Sequence, residues 1–73
     1  MEKKLNFSYE PGDPGEGYIT LEPNAKSKTQ IVLDDESVQG NSGFRGELII
    51  DLNEEGKIVG IEILGDVIPD VLK

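Results

Sequence analysis

Alternation of apolar and polar residues is the first signal along the chain. Leu5, Phe7 and Tyr9 alternate with Asn6 and Ser8, and a period of two marks a strand with one face buried. Glu10 to Gly17 contains Pro11-Gly12 and Pro14-Gly15, turn dipeptides that predict a loop. Tyr18 to Leu21 carries the β-branched Ile19 and Thr20 and reads as a second strand, ended by Pro23-Asn24. Thr29 to Leu33 is short and β-prone, whereas Ala25 to Lys28 is ambiguous. Asp34-Asp35-Glu36 then breaks the run, and Ser37 to Gly46 is rich in Gly, Asn, Gln and Ser without any period. Residues 34–46 are therefore expected to form a flexible loop.

The second half predicts a hairpin. Leu48, Ile50 and Leu52 fall on one face of a strand, with Glu47, Ile49 and Asp51 on the other. Asn53-Glu54-Glu55-Gly56 is a turn: Asn suits its first position and glycine adopts the left-handed conformation that closes it. Lys57 to Leu64 is the longest β-prone run. Pairing Leu52 with Lys57 sets Ile50 beside Val59 and Leu48 beside Ile61, and opposes Glu62 to Glu47, an unfavourable like-charge pair. Beyond Gly65, residues Asp66 to Leu72 read either as a short helical turn with Pro69 near its first position or as a frayed tail. The whole describes a mostly β chain. It is expected to form one small domain over residues 1–73, a curved antiparallel sheet of four or five strands with at most a short C-terminal helical turn.

Composition narrows the chemistry. A chain of 73 residues buries only about 60% of the surface exposed when unfolded, so help from a partner or a second copy is expected. Cysteine and histidine are absent. Disulfides, thiolate metal sites, a histidine general base and a Ser-His-Asp triad are excluded. Fifteen acidic residues stand against seven basic ones, for a formal charge of −8. That excess repels phosphate backbones and anionic membranes, which argues against both as partners. No apolar run approaches the ~20 residues of a membrane span, and no hydrophobic signal region follows the N-terminal Met-Glu-Lys-Lys. A cytoplasmic location is expected.

Three acidic constellations invite a closer look. Asp51-x-Asn53-x-Glu55-Gly56-x-Ile58-x-x-x-Glu62 has the spacing of an EF-hand calcium loop. An EF-hand needs flanking helices, and here both flanks are β-prone. In a hairpin Glu62 would lie roughly 20 Å along the strand from the turn. Asp51, Asn53 and Glu55 thus read as turn formers first and metal ligands second. Asp34-Asp35-Glu36, with Glu47 and Asp51, has the donors of a magnesium site but borders a loop, where a solvated acidic segment is the simpler reading. Glu47 and Glu62 across the hairpin have the residue types of a carboxylate pair for acid–base catalysis, in a chain too small to enclose a deep cleft. Gly40-Asn41-Ser42-Gly43 and the glycines of 12–17 lack the lysine and following helix of a phosphate loop.

From Leu48 onward the chain reads Leu-Ile-Ile-Asp-Leu-Asn-Glu-Glu-Gly-Lys-Ile-Val-Gly-Ile-Glu-Ile-Leu. This resembles the ending of the small prokaryotic domain-of-unknown-function family DUF2283, which carries a late Asp-x-Asp-x-x-Gly-x-x-Val-Gly-Ile-Glu-Ile-Leu segment. The family's early Tyr-Asp-x-x-x-Asp-x-x-Tyr-Ile segment corresponds here to Tyr9-Glu10-Pro11 through Tyr18-Ile19. Glu10 replaces the first aspartate, one extra residue precedes Tyr18, and Asp13 is nearest to the second aspartate. Residues 22–45 carry no matching motif. The resemblance implies no established activity. Genes of such proteins often neighbour those of small toxin-like ribonucleases, so it implies an antitoxin-like role.

Together these readings lead to a non-enzymatic interaction protein, cofactor-free, whose partner is a small basic protein. Val67, Ile68, Val71 and Leu72 in the apolar tail, with Tyr9 and Tyr18, are the candidate partner-binding residues. Tyr9 and Tyr18 also fit as core or edge residues of the first two strands. The alternatives are a calcium- or magnesium-binding domain built on the acidic turn 51–56, and a structural homodimer formed through exposed strand edges.

Overall fold

In a computed structural model, which describes residues 5–13, 15–34 and 43–73, the chain forms one five-stranded antiparallel sheet. The strands are β1 (Asn6–Glu10), β2 (Glu16–Thr20), β3 (Thr29–Asp34), β4 (Gly46–Leu52) and β5 (Ile58–Gly65), followed by a 3-10 turn at Asp70–Leu72. Their order across the sheet is β1-β2-β5-β4-β3. The first hairpin, β1–β2, joins the open edge of β5 in the β3–β4–β5 meander, so β5 is central and β1 and β3 are the edges. β3 continues through Asp34 and β4 starts at Gly46, which trims the expected 34–46 loop at both ends; residues 35–42 lie outside the described residues.

The β4–β5 turn forms as its residues dictate. Asn53 Oδ1 accepts the backbone N–H groups of Glu55 (2.9 Å) and Lys57 (3.0 Å), and the Gly56 N–H donates to the Asn53 carbonyl at 3.0 Å. Gly56 has φ of 79°, where a side chain would strain the backbone.

The hairpin register corrects the expected pairing. Leu52 opposes Ile58 rather than Lys57, and Asp51 opposes Gly60, with a register shift between them. Val59 is the extra residue of a β-bulge. Its carbonyl accepts the N–H groups of both Leu21 (3.0 Å) and Glu22 (3.1 Å), where the chain leaves β2. A bulge frees that carbonyl from the ladder, a tertiary need that hairpin pairing alone does not reveal. As a result Ile50 faces Ile61 rather than Val59, and Leu48 faces Ile63 rather than Ile61. Glu62 faces Ile49 and Glu47 faces Leu64, so the like-charge Glu47–Glu62 pair does not form.

Directly opposed residues in antiparallel strands share a face, and the register sorts this sheet into two unlike faces. One carries the rows Phe7–Ile19–Ile61–Ile50–Ile31 and Tyr9–Gly17–Ile63–Leu48–Leu33. No charged residue of any strand belongs to it. The other carries all six strand acids, Glu10, Glu16, Asp34, Glu47, Asp51 and Glu62.

The C-terminal segment folds back over one end of the apolar face. Ile68 is 6% exposed, and a β-carbon on Gly17 would meet its Cδ1 at 3.0 Å. Val67 lies equally close over Gly46, at 3.1 Å by the same measure. Both glycines leave the room that these two side chains fill. The segment then ends in the 3-10 turn, with the Leu72 N–H donating to the Pro69 carbonyl at 2.9 Å. The helical-turn reading of 66–72 holds, with Pro69 immediately before the turn. Among the described residues, only Val59 and Ile68 are buried hydrophobics.

Candidate functional site

The acidic face is organised around Asp51. Asp51 is 5% exposed, and its carboxylate is held by donors from three segments. The Tyr18 hydroxyl on β2 donates to Oδ2 at 3.0 Å. Gln30 Nε2 on β3 donates to Oδ1 at 2.8 Å, and Ser27 Oγ from the β2–β3 connection donates to the same oxygen at 3.3 Å. A buried carboxylate is costly unless hydrogen-bonded, and these donors supply the compensation. Asp51 thereby ties β2, β3 and the connection to β4.

Gly60 makes the longest of these reaches possible. Tyr18 meets Asp51 by crossing β5 above Gly60, where any side chain would collide with the tyrosine ring and hydroxyl. Burial pushes the Tyr18 hydroxyl above its ordinary value of 10.0, reinforced by its bond to Asp51 and the charges of Asp51 and Glu62. It therefore stays protonated and donating.

Beside this network lies a shallow groove of about 290 Å³, lined by Ser8, Glu10, Glu16, Tyr18, Glu62 and Leu64 among others. Glu16 pairs with Glu10 on one side and Leu64 on the other, and Leu64 in turn pairs with Glu47, which pairs with Asp34. One row of five residues thus holds four acids. Glu62, one row further in, has its carboxyl raised above 4.5, first by burial and then by the negative charges of Asp51, Glu16 and Glu47. No lysine or arginine lies in any of the five strands. The groove is a patch of concentrated negative potential, suited to a positively charged group.

The calcium-loop residues do not converge. Asp51 is engaged by Tyr18, Gln30 and Ser27, Asn53 Oδ1 closes the turn, Glu55 is exposed, and Glu62 stands further along β5 beside Tyr18. Among the described residues no group of three or more acidic, histidine or cysteine side chains is arranged to hold a metal ion. Asp34 ends β3, while Asp35 and Glu36 lie outside the described residues. Of the apolar tail, Val67 and Ile68 pack on the chain's own sheet, whereas Val71 (89% exposed) and Leu72 (48%) project outward. Tyr9 lies on the apolar face against Gly15, and Tyr18 on the acidic one. No helix among the described residues is long and apolar enough to cross a membrane.

The Asp51 network escaped sequence reasoning because its members lie far apart in the chain. One trace was visible: Gly60 interrupts the β-prone run 57–64, and a glycine inside a strand marks a bulge or a close approach. Both occur here. Tyr18 of the early segment therefore meets Asp51, Gly60 and Glu62 of the late one. A family model described as a protein of unknown function, DUF2283, matches residues 17–65, which include all four. No curated protein and no solved structure matches the chain.

Proposed function

The chain belongs to DUF2283, a family of unknown function, and we propose that it is a non-catalytic interaction protein whose acidic sheet face receives a basic protein partner. The segregation of all six strand acids onto one face, with no strand lysine or arginine among them, carries this reading. Four of these acids stand in one row, and two of them, Glu10 and Glu16, line the groove of about 290 Å³ together with Glu62. The Glu62 carboxyl is raised first by burial and then by the charges of Asp51, Glu16 and Glu47, and a basic side chain in the groove would relieve the second of these. Charge complementarity of this kind speeds encounter and weakens with salt. A small basic toxin-like protein, held in an antitoxin-like relation, has the chemistry that this face would select.

A lysine- and arginine-rich peptide titrated into the labelled protein tests the proposal. Amide shifts are expected at Ser8, Glu10, Glu16, Tyr18 and Glu62, with affinity falling at least about tenfold between ~0.05 M and ~0.5 M salt. Glu16→Lys, at an exposed position, should weaken binding comparably at low salt. Binding indifferent to both salt and Glu16→Lys would sink the idea.

A further inference from the structure

The face opposite the acids is unfinished. Its rows run from Phe7 to Ile31 and from Tyr9 to Leu33, yet the C-terminal segment covers only the end that holds Gly17 and Gly46. Ile31 remains 45% exposed, Leu33 38% and Ile58 47%, and Ile50 and Ile61 between them are only half-buried. An apolar sheet face of this kind, left in water, marks an interaction surface.

We propose that this face docks a second copy of the same chain, sheet against sheet. The strands give this face no charge with which to select a basic or acidic partner, so an occupant that is itself apolar and flat fits it. The chain's own face meets that description, and a two-fold pairing needs a surface complementary to itself. Charge geometry agrees. Each chain carries a formal −8, which opposes most contacts between copies, but all strand acids point away from this face. Face-to-face packing, with the sheets about 10 Å apart, leaves both acidic faces on the outside.

Five strands at about 4.8 Å spacing and the roughly four residues per strand beyond the C-terminal segment, at about 3.3 Å each, leave an uncovered face of roughly 300 Å² in projection, the size of apolar patch that marks an interaction site. A two-fold axis over the row containing Ile50 and Ile61 sets the two C-terminal segments at opposite ends, where they flank the contact. The dimer is then a two-sheet sandwich whose core neither copy contains alone. This proposal is independent of the basic partner, which would dock on the outer faces.

Sedimentation equilibrium of the full chain, from about 10 µM to about 500 µM, tests it with two variants on one strand. Ile31 and Val32 are both exposed, at 45% and 51%, and lie on opposite faces of β3. The unaltered chain and Val32→Lys should sediment at twice 8.0 kDa, whereas Ile31→Lys should lose at least about tenfold in dimer affinity. A monomer across the whole range, or equal behaviour of the two variants, overturns the proposal. Isotope-filtered NMR on mixed labelled and unlabelled native chains reads the same interface without substitution. Contacts between copies are expected at the Ile50 and Ile61 methyls. Contacts confined to the backbone edges of β1 or β3 would instead show edge pairing and overturn it.

Discussion

Glu62 stands on the central strand, between Tyr18 of β2 and Ile49 of β4, and its carboxyl is raised by burial and by Asp51, Glu16 and Glu47. A carboxyl raised in the folded state holds its proton more tightly there than in the unfolded chain. Its favourable contribution is complete below the unfolded value, near 4.5, and is lost as pH rises through the higher folded value. At neutral pH the ionised Glu62 is thus a cost. Glu62→Gln should raise the melting temperature by a few degrees at pH 7, and the gain should vanish below about pH 4. Thermal melts of both proteins across that range check this. A variant no more stable at pH 7 would show that the neighbouring charges are already compensated. The Asp51 carboxylate beside it is held by three donors, so these two of the six strand acids play different parts: one ties strands together, the other adds to the field.

At the scale of elements, the C-terminal segment closes one end of the sheet. Burying a side chain such as Ile68 stabilises by about 1.5–3 kcal/mol, and the segment has no ladder hydrogen bonds to the sheet to replace it. Ile68→Ala should cost about 2–4 kcal/mol, read from urea unfolding, and should release Val67 to Lys73 to fast amide exchange. A loss well under about 1 kcal/mol would mean that the segment is held by Val67 or the 3-10 turn instead. The β5 bulge acts at the same scale. By adding Val59 it offers one carbonyl to two N–H groups of the departing β2 chain, and so locks the first hairpin to the meander.

For the whole molecule, the contrast between the faces governs stability. Two buried aliphatic residues among the described ones make a thin core, and a chain of this size has little stability to spare. If the uncovered face is completed by a second copy, stability becomes a function of concentration. The melting temperature should rise by a few degrees for each tenfold increase in protein, and Ile31→Lys should abolish that dependence. A melting temperature independent of concentration would assign the missing stability to the single sheet.

Local chemistry was legible in the sequence and long-range pairing was not. Period-two alternation placed strands at 5–9 and 47–52, and β-prone runs placed those at 18–21, 29–33 and 57–64, each within about two residues of those observed. Asn53 and Gly56 named their own turn, because side-chain capping and a left-handed glycine are properties of a few adjacent residues. The period also separated Leu48, Ile50 and Leu52 from Glu47, Ile49 and Asp51, since neighbouring side chains on a strand point apart. Tertiary structure decided the strand order, the insertion of β5 between β2 and β4, and the bulge at Val59, which shifted the hairpin register because β2 needed a carbonyl there. It alone brought Tyr18, Gln30 and Ser27 onto Asp51 and set the acids of all five strands on a single face, because a strand's periodicity assigns its two sides without saying which side its neighbours will share.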